Sequence, residues 1–127
     1  MFFDLGVRHA AAGLNPSIDV VNVDPGFFFE QWVRIELWKR LQYLENGSLY
    51  YLRTRTGAEI DFIIKSQNQI IPIEVKWTQN PGQHDALHLR AFLKYDPNQT
   101  KKAYIICRCP LPMEIEENII ALPWQNL

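Results

Sequence analysis

The sequence predicts an α/β domain whose elements follow the order αβββαβ, with helices flanking a mixed central sheet. Two stretches, residues 57–65 and 69–77, alternate in the period of two that is typical of strands. Segments with helical periodicity precede and follow this strand region. A helix crossing between the third and fourth strands would make those two strands parallel, so the sheet is predicted to be mixed.

Length and composition are those of one globular domain. The chain has 127 residues, 47% of them hydrophobic and 21% charged, which is enough to bury a core, so we expect one domain over 1–127. A net charge of −1 gives no overall basic surface, and a nucleic acid would need a local basic face. No apolar run is long enough to span a membrane and no leader opens the chain, so we expect a cytoplasmic protein without a membrane partner.

The chain is expected to begin with a lead-in over residues 1–24. This lead-in contains a short apolar strand (1–6), an alanine-rich helix (7–13) that Gly13 can end, and a loop. A domain that opens on an apolar strand suggests the C-terminal part of a longer protein or a truncated copy.

The first long helix is predicted over residues 25–45. Asp24 can cap it, Pro25 suits its first position, and Asn46-Gly47 can end it. Its buried stripe is predicted to be Phe29, Trp32, Val33, Leu37, Leu41 and Leu44. Glu30 lies at the edge of this stripe, and Glu36 lies about 240° further round the helix, so the two acids do not share a face.

The remaining elements follow from short apolar runs between turn signals. Strands are predicted over 49–53, 57–65, 69–77, 102–107 and 119–122, with a helix over 83–93. Because Pro72 cannot donate a ladder hydrogen bond, it should lie at an edge, a bulge or a strand start. Residues 114–118 are polar, and no strand is predicted there.

Several polar or reactive side chains are given structural interpretations. Cys107 and Cys109 are expected to be small buried thiols, because no second pair completes a zinc site. His84 and His88 could hold a metal from one helix face, but a solvated face is favoured. Glu59 is expected to pair with Arg53 or Arg55, and Trp77 is expected to pack in the core.

The candidate site lies on the two central strands. Asp61 is carried by the first strand, and Glu74 and Lys76 share one face of the second. Charged groups in such apolar runs are costly to bury unless they pair or bind a metal. If the strands are neighbours, two carboxylates and one ammonium group meet, and this set fits a divalent-cation site with a lysine beside it.

The spacing of these residues resembles a known signature. Asp61 is followed, thirteen positions on, by Glu74-x-Lys76, which is similar to the active-site motif of the PD-(D/E)XK nuclease superfamily. Further blocks resemble the domain-of-unknown-function family 4143 (DUF 4143), which usually forms the C-terminal part of bacterial and archaeal AAA-type ATPases. These blocks are residues 2–8, 26–33, 36–37, 51–54, 59–62 and 73–76.

The resemblance implies a restriction-endonuclease-like fold and a Mg²⁺-dependent or Mn²⁺-dependent nuclease acting on DNA. Asp61, Glu74 and the carbonyl of Val75 would bind the metal, and Lys76 would orient or deprotonate the attacking water. Glu30 matches the helix position at which the superfamily often adds an acid, with Glu36 as a weaker candidate. The sequence has no Gly-x-x-x-x-Gly-Lys-Ser/Thr phosphate loop, so the ATPase module of the family is not expected in this chain.

Two other hypotheses stay open at this point. The domain could be a catalytically silent DNA-binding or protein-docking module of an ATPase system. Alternatively, the surface that an ATPase would cover could drive self-association into a homodimer.

Overall fold

The computed structural model describes residues 24–45, 47–53 and 59–127 of the chain. Within these residues, two α-helices accompany one mixed six-stranded sheet in an α/β fold. The strand and helix expected within residues 1–13 lie outside the described residues. The elements are α1 (Pro25–Leu44), β1 (Ser48–Arg53), β2 (Glu59–Ser66), β3 (Gln69–Val75), a 3-10 helix (Gln83–Ala86), α2 (Leu87–Tyr95), β4 (Ala103–Cys107), β5 (Met113–Glu116), β6 (Ile119–Pro123) and a final 3-10 turn (Trp124–Asn126).

The six strands follow the order β1-β2-β3-β4-β6-β5 across the sheet. The first three strands pair antiparallel in sequence order. β3 and β4 are parallel, as the helix between them predicted, and β4 and β6 are also parallel. β5 pairs antiparallel with β6 at the far edge. The parallel pairing brings the C-terminal ends of β3 and β4 to the same edge of the sheet.

The core forms one layer on each face of the sheet. Val33 and Leu37 of α1 belong to the layer on one face, and Leu89 of α2 belongs to the layer on the other. Neighbouring residues of β4 alternate between them, since Ile105 lies in the α2 layer and Ile106 in the α1 layer. Because both faces of β4 are buried, its sequence is continuously apolar.

The start of α1 agrees with the sequence prediction. Asp24 Oδ1 accepts a hydrogen bond from the Phe27 backbone N–H at 3.1 Å, and Pro25 occupies the first helical turn. The helix ends at Leu44, and Glu45 follows in the left-handed region with a φ of 49°. The predicted boundaries are therefore confirmed to within one residue.

The buried stripe of α1 differs in part from the prediction. Phe29, Val33 and Leu37 are buried as expected, whereas Leu44 is 63% exposed. Trp32 and Leu41 are half-buried and residues 42–44 are exposed, so the apolar periodicity of the sequence continues past the last buried residue of the helix. Ile35, which the predicted stripe omitted, is buried.

Pro72 lies inside the sheet, which corrects the expectation of an edge, a bulge or a strand start. It is buried in β3, between β2 and β4. The Lys76 amide donates to the Ile106 carbonyl at 2.9 Å, so the even-numbered amides of this strand face β4. The described pairing with β4 begins only at Ile73. The nitrogen of Pro72, which carries no hydrogen, therefore faces the β4 side at a position before the parallel pairing begins. No ladder hydrogen bond is required from it there.

β5 is a strand that the sequence analysis missed. Met113–Glu116 pairs with β6 at the edge of the sheet, and its side chains are only half-buried or exposed. A short, charged edge strand carries little of the hydrophobic alternation on which strand prediction depends.

Cys107 and Cys109 are both free and buried, which confirms their interpretation as small core thiols. Burial raises the pKa of the Cys107 thiol to about 12. Neither α-helix in the described ranges combines the length and the hydropathy that crossing a bilayer would require.

Candidate functional site

Asp61 lies where β2 stops pairing with β3, although β2 remains paired with β1 beyond it. The pairing of β2 with β3 runs from the hairpin turn as far as Phe62↔Ile73, one residue short of Asp61. Beyond this point a side chain replaces the backbone as hydrogen-bond acceptor, since Asp61 Oδ2 accepts a hydrogen bond from the Val75 N–H at 2.8 Å. The carboxylate is thereby fixed against the C-terminal end of β3.

Glu74 is an acid buried inside the sheet. It is 5% exposed, and its position in β3 is paired with Ile105 of β4. Its Oε2 lies 3.8 Å from Lys76 Nζ, while its Oε1 is buried without a hydrogen-bond partner among the described residues. Lys76, whose side chain is 41% exposed, reaches from this acid toward solvent. An unpaired buried carboxylate oxygen is costly, and a proton, a water or a cation can satisfy it.

The two carboxyls interact strongly. Burial raises the pKa of Glu74 to about 8, and the negative charge of Asp61 and a hydrogen bond to it act in the same direction. The positive charge of Lys76 lowers this pKa, but not enough to cancel the other effects. Glu74 therefore keeps a proton at neutral pH when no cation is bound, and the protonated acid can donate to Asp61.

Glu30 belongs to the same electrostatic cluster. It is half-buried on α1, and burial raises its pKa, as do the negative charges of Asp61 and Glu59. The positive charges of Arg34 and Lys76 act in the opposite direction. The structure thus brings three acids from three elements, Glu30, Asp61 and Glu74, near the single ammonium group of Lys76.

A cleft of about 400 Å³ opens beside this cluster, between α1 and the β1–β2 hairpin. Its polar lining is Glu30, Arg34, Tyr50, Tyr51, Arg53, Glu59 and Asp61. The sequence analysis did not single out Arg34 or Tyr51 for this site. A signal for Arg34 was present, because it lies one helical turn after Glu30 and so shares its face.

Two polar contacts of Glu59 connect the cleft lining to neighbouring elements. Arg53 Nη2 lies 2.6 Å from Glu59 Oε1, which confirms the predicted pairing of Glu59. His88 Nδ1 lies 2.8 Å from the carbonyl oxygen of Glu59, and this contact ties α2 to the start of β2. His84 belongs to the preceding 3-10 helix and lies 3.4 Å from Asp85 Oδ1, so the two histidines do not share one α-helix.

Trp77 is 41% exposed, so it does not lie in the core as expected, although its ring packs next to the site. Its ring meets Phe29 edge to face with centroids 5.1 Å apart, and the Arg108 guanidinium lies 3.8 Å from its centroid. These contacts join the start of α1 to the C-terminal ends of β3 and β4.

The donor set suits a hard cation. Carboxylate oxygens of Asp61 and Glu74 are the ligands that Mg²⁺ and Mn²⁺ prefer, and no residue in the described ranges donates a hydrogen bond to Glu74 Oε1. In the described ranges no three His, Cys, Asp or Glu side chains are already arranged around one point as metal ligands. A cation here would therefore need oxygens of the backbone and of water to complete its coordination.

Comparison with known proteins gives one match. A family model described as a domain of unknown function, DUF4143, matches residues 25–127. No curated protein and no solved structure matches the chain significantly. The match covers every element of the described fold and all four residues of the charged cluster. The chain therefore belongs to the DUF4143 family.

Proposed function

We propose that this chain is a metal-dependent nuclease-like domain of the PD-(D/E)XK superfamily that hydrolyses phosphodiester bonds in DNA. The order α1-β1-β2-β3-α2-β4 and the parallel pairing of β3 with β4 support a restriction-endonuclease-like core. In that core, the acid of the second strand and the Glu-x-Lys of the third are the reacting groups. Asp61, Glu74 and Lys76 occupy these positions.

One observation carries the proposal: Asp61 and the Glu74-Val75-Lys76 segment meet at one point. Asp61 Oδ2 lies 2.8 Å from the Val75 nitrogen, and Glu74 Oε2 lies 3.8 Å from Lys76 Nζ. A purely structural role would favour a carboxyl whose oxygens are both hydrogen-bonded, yet Glu74 Oε1 has no hydrogen-bond partner in the part of the chain that the structure describes.

Asp61 and Glu74 would hold Mg²⁺, or Mn²⁺ in its place. The N–H and C=O of one strand residue point to the same neighbour, so the carbonyl of Val75 is directed toward Asp61 and supplies a third oxygen. When bound, the cation neutralises charge on the phosphate and lowers the pKa of water.

The chain's own residues supply proton transfer and orientation. Lys76 Nζ, at the exposed end of the cluster, would orient the attacking water and, as the neutral amine, accept its proton. The ammonium group formed in this way would balance the charge of the pentacovalent phosphate. Glu30 would hold a water molecule beside Asp61, because it is half-buried on α1 and lines the same cleft as Asp61.

The test is cleavage of linear, supercoiled, branched and single-stranded DNA with Mg²⁺ or Mn²⁺. We expect cutting by the wild type and at least a roughly 100-fold loss in Lys76→Ala. Binding measured in Ca²⁺ should be retained. The matched control is Lys65→Ala, which removes an exposed lysine from β2 and should cut normally. Cleavage by Lys76→Ala at the wild-type rate would refute the assignment.

A second candidate is a catalytically silent DNA-binding or protein-docking module of an ATPase system. What favours it is that Lys76 and a retained proton on Glu74 neutralise much of the cluster without a cation. Binding of DNA without cutting in any metal would support this candidate and reject the enzyme.

A further inference from the structure

The cleft between α1 and the β1–β2 hairpin adjoins the charged cluster and shares Glu30 and Asp61 with it, but Glu74 and Lys76 do not line it. Its volume of about 400 Å³ falls in the range of pockets that hold one small organic ligand. A DNA duplex is far too wide to enter, since its major groove alone is about 12 Å across. A single nucleotide, removed from its stack, is of suitable size.

Tyr51 lies directly opposite the acid of β2. The pairing of β1 with β2 shifts between Tyr50↔Ile63 and Leu52↔Ile60, so Tyr51 alone faces both Asp61 and Phe62. Such a bulge re-aims side chains, and bulges are frequent beside reactive sites. The bulge therefore ties the position of Tyr51 to that of Asp61.

The ring of Tyr51 is available for stacking. Tyr51 is 70% exposed although it lines the cleft. Exposed aromatic rings are the surfaces on which proteins stack unpaired bases. The cleft beside this ring carries charges of both signs, with Arg34 and Arg53 alongside three acids.

Arg34 provides a cation on the opposite wall. It lies one turn after Glu30 on α1, close enough for its charge to lower the pKa of that acid. Arg53, by contrast, is bound to Glu59 through both Nε and Nη2, at 3.0 and 2.6 Å. Arg34 has no hydrogen bond or salt bridge to any described residue. Its planar guanidinium suits a phosphate, which it can bind through two parallel hydrogen bonds.

We infer that the cleft is a subsite for one unstacked nucleotide of a single strand, with its base on Tyr51 and its phosphate on Arg34. This inference rests on the proposed function, because it places that nucleotide next to the phosphate at Asp61. Single-stranded ends and flaps are then the preferred substrates, and a continuous duplex is a poor one.

The test measures binding of a short oligonucleotide carrying 2-aminopurine, whose fluorescence falls on stacking, to the 127-residue chain with Ca²⁺. We expect quenching with the single strand and little with a blunt duplex. Tyr51→Ala should weaken binding roughly 5- to 100-fold and abolish the quenching, whereas Tyr51→Phe should retain both. Arg34→Ala should weaken binding and reduce the salt slope by about one ion.

Matched controls come from the same helix. Tyr43→Ala and Arg40→Ala remove an exposed aromatic ring and an exposed cation of α1 that do not line the cleft, so binding should be unchanged. An RNA oligonucleotide of the same sequence identifies the preferred sugar, and Tyr51-dependent binding of either strand supports the subsite.

The outcomes separate this inference from the proposed reaction. Full binding by both Tyr51→Ala and Arg34→Ala overturns the subsite, even if the protein cuts DNA. Tight binding and cutting of a blunt duplex alone also overturns it. Tyr51-dependent binding without cleavage in any metal rejects the reaction and leaves the subsite in place.

Discussion

At Glu74, burial and the nearby carboxylate of Asp61 both oppose the loss of a proton. The pKa is raised from the ordinary 4.5 to about 8 in the folded chain, so the folded state holds a proton that the unfolded state releases. This contribution to stability is complete below about pH 4.5 and is lost as the pH rises toward 8.

We expect Glu74→Gln to remove this pH dependence, because an amide keeps the hydrogen-bonding groups and cannot ionise. In EDTA, the free energy of unfolding of the wild type should fall relative to Glu74→Gln by about 2–4 kcal/mol over this window. Urea unfolding at a series of pH values measures the difference. Glu117→Gln, at an exposed acid in a turn, is the control, and a constant wild-type-to-Gln difference would contradict the raised pKa.

Glu30 and Glu36 allow a matched comparison of two acids on one helix. Glu30 lines the cleft and is affected by the charge of Asp61, whereas Glu36 lies about 240° away around α1. If Glu30 holds water for the reaction, Glu30→Gln should lower the cleavage rate about 10-fold or more, as loss of a metal-site partner typically does. Glu36→Gln should cut at the wild-type rate. Equal effects of the two substitutions would remove Glu30 from the site.

The sequence could predict the convergence of Asp61, Glu74 and Lys76, because strand periodicity and adjacency in the chain bring them together. It could not predict the relation of Tyr51 to Asp61. That relation depends on a bulge in β2, and no residue type near Asp61 predicts a bulge there. Similarly, the sequence places Arg34 on the same helix face as Glu30, but it could not predict that both residues line a cleft with the β1–β2 hairpin.

Among the elements, β1 is preceded by a glycine whose conformation and surroundings exclude a side chain. Gly47 has a φ of 97°, and a β-carbon added there would lie 2.7 Å from the Lys65 carbonyl oxygen. We expect Gly47→Ala to lower the free energy of unfolding by about 1–3 kcal/mol, because the conformation and the contact both exclude a side chain.

Gly26 is the internal control for this prediction. It lies in the first turn of α1, and an added β-carbon would meet only Trp77 Cβ at an ordinary 3.8 Å. Gly26→Ala should therefore be neutral or stabilise the chain by up to about 1 kcal/mol. Chemical denaturation of the two variants measures both changes, and equal destabilisation by the two would contradict the strain at Gly47.

Element prediction succeeded where local chemistry and tertiary packing agree. The cap at Asp24, the apolar run of β4 and the Gln67-Asn68 turn all fix boundaries through short-range effects. It failed where the sheet context decides. Pro72 is internal because β4 begins to pair only after it, and β5 exists because β6 offers an edge.

At the scale of the molecule, the sheet couples the charged cluster to both core layers. Glu74 lies between Ile73 and Val75, which belong to the α1 layer, and opposite Ile105 of the α2 layer. A bound cation at Asp61 and Glu74 would therefore stabilise the folded chain as a whole, since the unfolded chain does not assemble the two carboxylates.

This linkage predicts that stabilisation by Mg²⁺ depends on pH. Only ionised carboxylates bind the cation, and the pKa of Glu74 is raised to about 8, so Mg²⁺ competes with a proton. The rise in melting temperature caused by Mg²⁺, against NaCl of equal ionic strength, should be small near pH 6 and several degrees larger near pH 8.5. Asp61→Asn should lose the rise at both values. A rise that is the same at both pH values, or that survives in Asp61→Asn, would show that Mg²⁺ acts elsewhere, and the proposed metal site would then be wrong whatever DNA the protein binds.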